Sequence, residues 1–268
     1  MKSLLAAFII ISVNASAVFA ERSLTAYFLN DSVNGLRISD AYETHNMGLV
    51  YSQGNYYAKL DLGIVSPDMH IYKNRFREAN RSFGEIITLE VGQNPEANDK
   101  IAGYARIKSA GHYNIDQMQE LFHNIFSLQR VVADNNLVRM PDANWYGVGV
   151  RYNSTLASQL MGDGTSLSFD GYIGSDTITA QASMSKAIPR DTYTLNFDAG
   201  AKLVAFDEII SAAPIEADAR TIIPFVSAGI EFNFLGYDVF VRDTFSLPTI
   251  QADDRPFGVL DAGLSFSF

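Results

Sequence analysis

Long stretches of the chain alternate, one apolar residue and one polar. In GVLDAGLSFSF, Leu260, Ala262, Leu264, Phe266 and Phe268 share one face, and Asp261, Gly263, Ser265 and Ser267 share the other. In TYTLNFDAGAKLVAF, Tyr193, Leu195, Phe197, Ala199, Ala201 and Leu203 oppose Thr194, Asn196, Asp198, Gly200 and Lys202. Ala58, Leu60, Leu62 and Ile64 oppose Lys59 and Asp61, and Val226, Ala228, Ile230, Phe232 and Phe234 oppose Glu231 and Asn233. A period of two marks strands with one apolar and one polar face. Twelve such strands are predicted, over 23–30, 44–52, 56–64, 82–93, 101–112, 144–154, 165–174, 176–187, 191–206, 221–234, 237–248 and 258–268.

Two architectures give this pattern. A soluble sandwich hides the apolar face, whereas a transmembrane barrel turns it toward lipid and keeps the polar face in its lumen. Isolated charges on the polar faces suit a wet lumen, and strands of about ten residues match an oblique membrane crossing. The chain ends on Phe268 in an alternating strand, as Gram-negative outer-membrane barrels do. The fold class expected is all-β, a transmembrane antiparallel up-and-down barrel of about twelve strands. The connections 31–43, 65–81, 113–143, 207–220 and 249–257 face outward, with a tight turn near Gly174-Ser175; the inward turns are shorter, apart from 155–164.

One stretch breaks the rhythm. In DQMQELFHNIFS, residues 116–127, Met118, Leu121, Phe122 and Ile125 fall at helical spacing around His123. A short helix is expected there, in the longest outer loop. Loops of that length are functional or disordered, and the apolar residues argue for order.

Composition sharpens this. MKSLLAAFIIISVNASAVFA has one early lysine, a short apolar run and a Val-x-Ala end, which reads as a secretory signal peptide over 1–20 followed by a barrel domain over 21–268. No cysteine is present, so disulfides and thiol chemistry contribute nothing. With 30 Asp+Glu against 20 Lys+Arg, the balance argues against nucleic acid as a partner, though not against an anionic ligand met by a local cluster.

Polar residues gather at the ends of the outward strands. Asn30-Asp31 ends the first, Asn46 lies near the start of the second on its lumenal phase, Lys73 and Arg75 lie in the second outer loop, and His123 in the third. They supply oxygens for a hard cation, a cationic clamp and a general base, a set able to activate water against an ester. Taken singly, Asn-Asp is a turn former and the loop cations are solvated.

The order of these segments, LTAYFLNDS, ETHNMGL, GIVSPDMHIYKNRFREANRSFGE, QMQELFH and then Trp145, resembles the lipid A 3′-O-deacylases of the LpxR type over roughly residues 23–150. The resemblance implies a twelve-stranded outer-membrane barrel that removes the 3′-acyloxyacyl chain of lipid A in a Ca2+-dependent reaction. It implies His123 as the general base, Asp31 with Asn30 at the calcium or oxyanion site, and Lys73 as the charge-stabilising lysine, with Arg75 beside it. The family's Thr falls on Asn46, and the Glu that supports its histidine falls on Gln129; Glu120 shares the helical face of His123. A monomer embedded in the outer membrane and acting on lipopolysaccharide is expected. The alternative is a non-enzymatic barrel, either a small porin or a lipopolysaccharide-binding or structural protein.

Overall fold

The computed structural model describes residues 22–30, 45–65, 84–93, 101–113, 141–154, 156–208, 221–247 and 257–268. Twelve strands run in chain order: β1 (Arg22–Asn30), β2 (His45–Gln53), β3 (Tyr56–Val65), β4 (Gly84–Gln93), β5 (Ile101–Gly111), β6 (Ala143–Ser154), β7 (Thr165–Gly174), β8 (Thr177–Pro189), β9 (Tyr193–Asp207), β10 (Ile222–Phe234), β11 (Tyr237–Ser246) and β12 (Phe257–Ser267). Each pairs antiparallel with its sequence neighbours, and β12 closes on β1 to complete the barrel. Every expected strand is present, with its ends moved by at most two residues.

The alternation acts as anticipated. Leu49, Val148, Val150, Ile173, Phe197, Leu203, Val226 and Leu264 are exposed on the outer wall, while Asp61, Glu90 and Asp176 are buried inside. A sandwich would reverse this. An apolar outer wall around a polar interior is the membrane-barrel arrangement.

The two rims differ. At one, β2 and β3 join through Gly54-Asn55 and β10 and β11 through Leu235-Gly236. Leu235 (φ 55°) and Gly236 (φ 88°) both take left-handed backbone, the type I′ geometry that matches strand twist. The short helix α1 (Leu156–Met161) lies at this rim, in the connection foreseen as its long exception. The other rim carries the long connections 31–44, 66–83 and 112–142 and the tight turn Ser175-Asp176. Long loops mark the outer rim of such barrels. The helix expected over 116–127 lies outside the described residues.

Gly48 on β2 shows how tightly the wall meets its contents. A Cβ there would overlap the Tyr27 ring and the Asp61 carboxylate, which the Tyr27 hydroxyl donates to. Gly48→Leu is expected to drive Tyr27 off Asp61 and to destabilise the barrel by about 1–3 kcal/mol. A lower urea midpoint, with the fold retained by circular dichroism, would show it; an unchanged midpoint would refute it.

Candidate functional site

On the β3–β8 side of the lumen the charges are not isolated but paired, because inward positions at one level of neighbouring strands face one another across a few ångströms. Register sets Lys59, Glu90 and Arg106 side by side on β3, β4 and β5. Glu90 is 1% exposed. Its Oε2 accepts from Arg106 Nε at 2.7 Å and Nη2 at 2.5 Å, and its Oε1 accepts from the Tyr57 hydroxyl at 2.6 Å and Arg151 Nη2 at 2.9 Å. Arg151 also donates through Nε to Asp170 Oδ2 at 2.7 Å, and the Tyr104 hydroxyl donates to Asp170 Oδ1 at 2.7 Å.

Aromatic rings fill the space between these charges. Tyr104 and Tyr172 stack at 6.1 Å, with the Arg151 guanidinium 4.2 Å from the Tyr104 ring and that of Arg106 4.6 Å from Tyr172. Gly147 and Gly149 on β6 make room, since a Cβ at either would overlap Tyr172 or Tyr104. Lys108 pairs with Asp176, which is wholly buried. Three carboxylates, Glu90, Asp170 and Asp176, thus meet three cations, Arg106, Lys108 and Arg151. Toward β9–β12 the lining is lighter: Ser227 donates to Asp198 at 2.8 Å, and Thr25 to Ser265 at 2.9 Å.

A second cluster lies on the membrane side of the wall, at the outer rim. Ile64 on β3 points outward yet is 1% exposed, and Leu62, Ile87 and Tyr113 pack on it. Tyr113 follows β5. Its backbone N–H donates to the Glu85 carboxylate, its hydroxyl lies 2.7 Å from Ser109 Oγ, and Ser109 donates to Asn144 Oδ1 at 2.8 Å. Glu85, Ser109 and Asn144 are all on outward phases of β4, β5 and β6. The first residues of the 112–142 connection are therefore held against the lipid-facing wall rather than turned into the lumen.

The residues singled out in the sequence are only partly within this description. Asn30 ends β1 and pairs with Leu260 of β12. Asn46 pairs with Leu29 and Gly63 on the lumenal phase, as expected, and its Oδ1 is buried without a hydrogen-bond partner. Asn46 and Tyr113 thus lie on opposite sides of the wall. Asp31, Lys73, Arg75, Glu120, His123 and Gln129 lie outside the described residues, in the connections 31–44, 66–83 and 114–140. Trp145 is buried at the top of β6 and donates from Nε1 to Glu208 Oε2 at 2.7 Å. Among the described residues, no group of three or more His, Asp or Glu is arranged to hold a metal ion.

Glu85 and Tyr113 were missed in the sequence. Their signal is faint: a carboxylate on the apolar phase of β4, and a tyrosine just past a strand end.

No family model and no curated protein matches the chain. Solved structures do. LpxR from Salmonella typhimurium superposes with a TM-score of 0.61 at 12% identity, over 92% of this chain and 100% of that one. The fold is that of an outer-membrane barrel. An outer-membrane channel from Pseudomonas putida F1 superposes with a TM-score of 0.50 at 15% identity, over 95% of this chain and 97% of that one. Barrels of both kinds therefore share this architecture.

Proposed function

We propose that the protein is an outer-membrane esterase that hydrolyses the 3′-acyloxyacyl ester of lipid A, acting as a monomer within the membrane. The observation that carries this reading is the seating of Tyr113. The connection bearing His123 sets out on the membrane side of the wall, where an ester in the outer leaflet would be met. The connections bearing Asp31 and Lys73 rise from the same rim, on the adjoining arc β1–β4. The filled lumen on the β3–β8 side supports this reading over a wide pore.

In this scheme His123 takes a proton from water as that water attacks the ester carbonyl. Lys73, with Arg75 beside it, offsets the negative charge that develops. The tetrahedral intermediate collapses, the sugar oxygen takes the proton back from His123, and a free fatty acid and a sugar hydroxyl remain. Gln129 and Glu120 are the candidates to orient the imidazole. Calcium suits the donors proposed at this rim, because Asn and Asp offer the hard oxygens it takes. Asp31, with Asn30 at the end of β1, would hold it; the buried, unpartnered Asn46 Oδ1 is a further oxygen donor, on the lumenal face of the same rim. When bound, the ion would supply Lewis-acid polarisation of the ester carbonyl.

The test is the lipid A of a Gram-negative host expressing the wild-type protein. Mass spectrometry is expected to show loss of one acyloxyacyl unit when membranes are incubated with calcium and none with a chelator. Unchanged lipid A under both conditions, together with steady ion-selective conductance in planar bilayers, would replace this reading with a channel.

A further inference from the structure

The outer wall carries a second feature, away from the rim on β1–β5. An apolar trough of about 730 Å³ runs obliquely across β5 to β9. Its sides are Val148, Val150, Ile173 and Leu203, all outward and all between 48% and 66% exposed. Its floor is made of small residues. Gly103, Gly171 and Ala180 lie in one row of outward positions, with Val150 standing between the two glycines: Gly103 pairs with Val150, Val150 with Gly171, and Gly171 with Ala180.

The floor is thin for a visible reason. Gly149 lies between Tyr104 and Tyr172 in the register, and those rings stack on its inner side. The wall there has little side chain facing out, and its bulk faces in. The ladder is also irregular at Ile178/Thr179, where β8 meets β9. Such irregularities bend a sheet locally and shape the end of the trough nearest the Ser175-Asp176 turn.

We infer that this trough is a binding site for one fatty-acyl chain of a bilayer lipid, entering from the outer rim. The occupant follows from position and chemistry. The side chains that wall the trough, Val148, Val150, Ile173 and Leu203, are on the lipid-facing phase, so its mouth opens to hydrocarbon and not to water. Its volume is in the range of small-molecule sites, and its lining offers dispersion contacts with almost no polar group to satisfy. A linear chain fits an oblique, open-ended furrow, whereas a rounded polar ligand does not. The site is independent of hydrolysis at the other arc and stands whether or not that reaction occurs.

The glycines allow a clean test. A Cβ at Gly103 would meet nothing within 4 Å, and one at Gly171 would meet only Val150 Cγ2, at 3.7 Å. Both positions accept a Cβ without overlap, so leucine at both is the change chosen to fill the furrow. The wild-type protein is reconstituted in phosphatidylethanolamine vesicles containing a trace of phospholipid with a mid-chain diazirine. Photolysis and peptide mapping are expected to concentrate label on the trough residues above the level at Phe197, Val226 and Leu264, which serve as ordinary lipid-facing positions. In Gly103→Leu/Gly171→Leu, the trough label is expected to fall about tenfold while the reference label stays. Heat-modifiable gel migration checks that the variant is folded. Even labelling around the wall in the wild type, or unchanged trough label in the folded variant, would overturn the assignment.

Discussion

Glu90→Ala is expected to destabilise the barrel by about 3–5 kcal/mol, the cost of removing one partner from a buried ion cluster. The magnitude follows from what remains. Arg106 and Arg151 both direct donors at this carboxylate, and the Tyr57 hydroxyl donates to it as well. Without it, two guanidinium groups face each other around Tyr104 and Tyr172 with Asp170 as the nearby anion. Glu90→Gln keeps an acceptor for Tyr57 but loses the charge, so it should fall between alanine and wild type. Tyr57→Phe removes one hydrogen bond and should cost about 1 kcal/mol. Unfolding in urea from lipid vesicles would rank the three. If Glu90→Ala proves as mild as Tyr57→Phe, the cluster is hydrated and the lumen is looser than its geometry indicates.

His123→Ala is expected to lower lipid A deacylation by two to four orders of magnitude, roughly the range supplied by a positioned general base. His123→Gln keeps a polar side chain of similar reach but cannot take the proton, and should lose nearly as much. Both variants should insert and fold as the wild type does, since the residue lies in a connection beyond the barrel strands. The readout is the wild-type lipid A mass pattern, followed over time with calcium present. Full activity in His123→Ala would remove the histidine from the chemistry even if the protein is a deacylase.

The strands were legible because sheet periodicity depends only on neighbours two residues apart. Tyr193 to Leu203 show it plainly, and their outward exposure follows. Lys59 and Asp61 were placed on one face but read as isolated charges, whereas they pair at 3.1 Å. The larger cluster was not legible either. Arg151 reaches Glu90 across a separation of 61 residues, and Lys108 reaches Asp176 across 68. Which charge meets which depends on the register of several strands at once, and the alternation within a single strand cannot report it. The apparent isolation of the lumenal charges came from this limit. Helix α1 went unread because LASQLM is too short to show a period. Of the candidate site, the sequence supplied the rim and the residue types at it. The clamp of Tyr113 on Glu85 and Ile64 was not readable, because an outward glutamate is informative only once its burial is known.

The seam between β1 and β12 carries a consequence for how the molecule forms. Ser23 pairs with Ser267 and Asn30 with Leu260, so the ladder that closes the barrel joins the most distant parts of the chain. Until it forms, two strand edges have unpaired N–H and C=O groups, which hydrocarbon cannot solvate. Partly assembled hairpins therefore have no stable resting place inside the bilayer. Insertion and closure are coupled, and the barrel should enter the membrane as a single concerted unit.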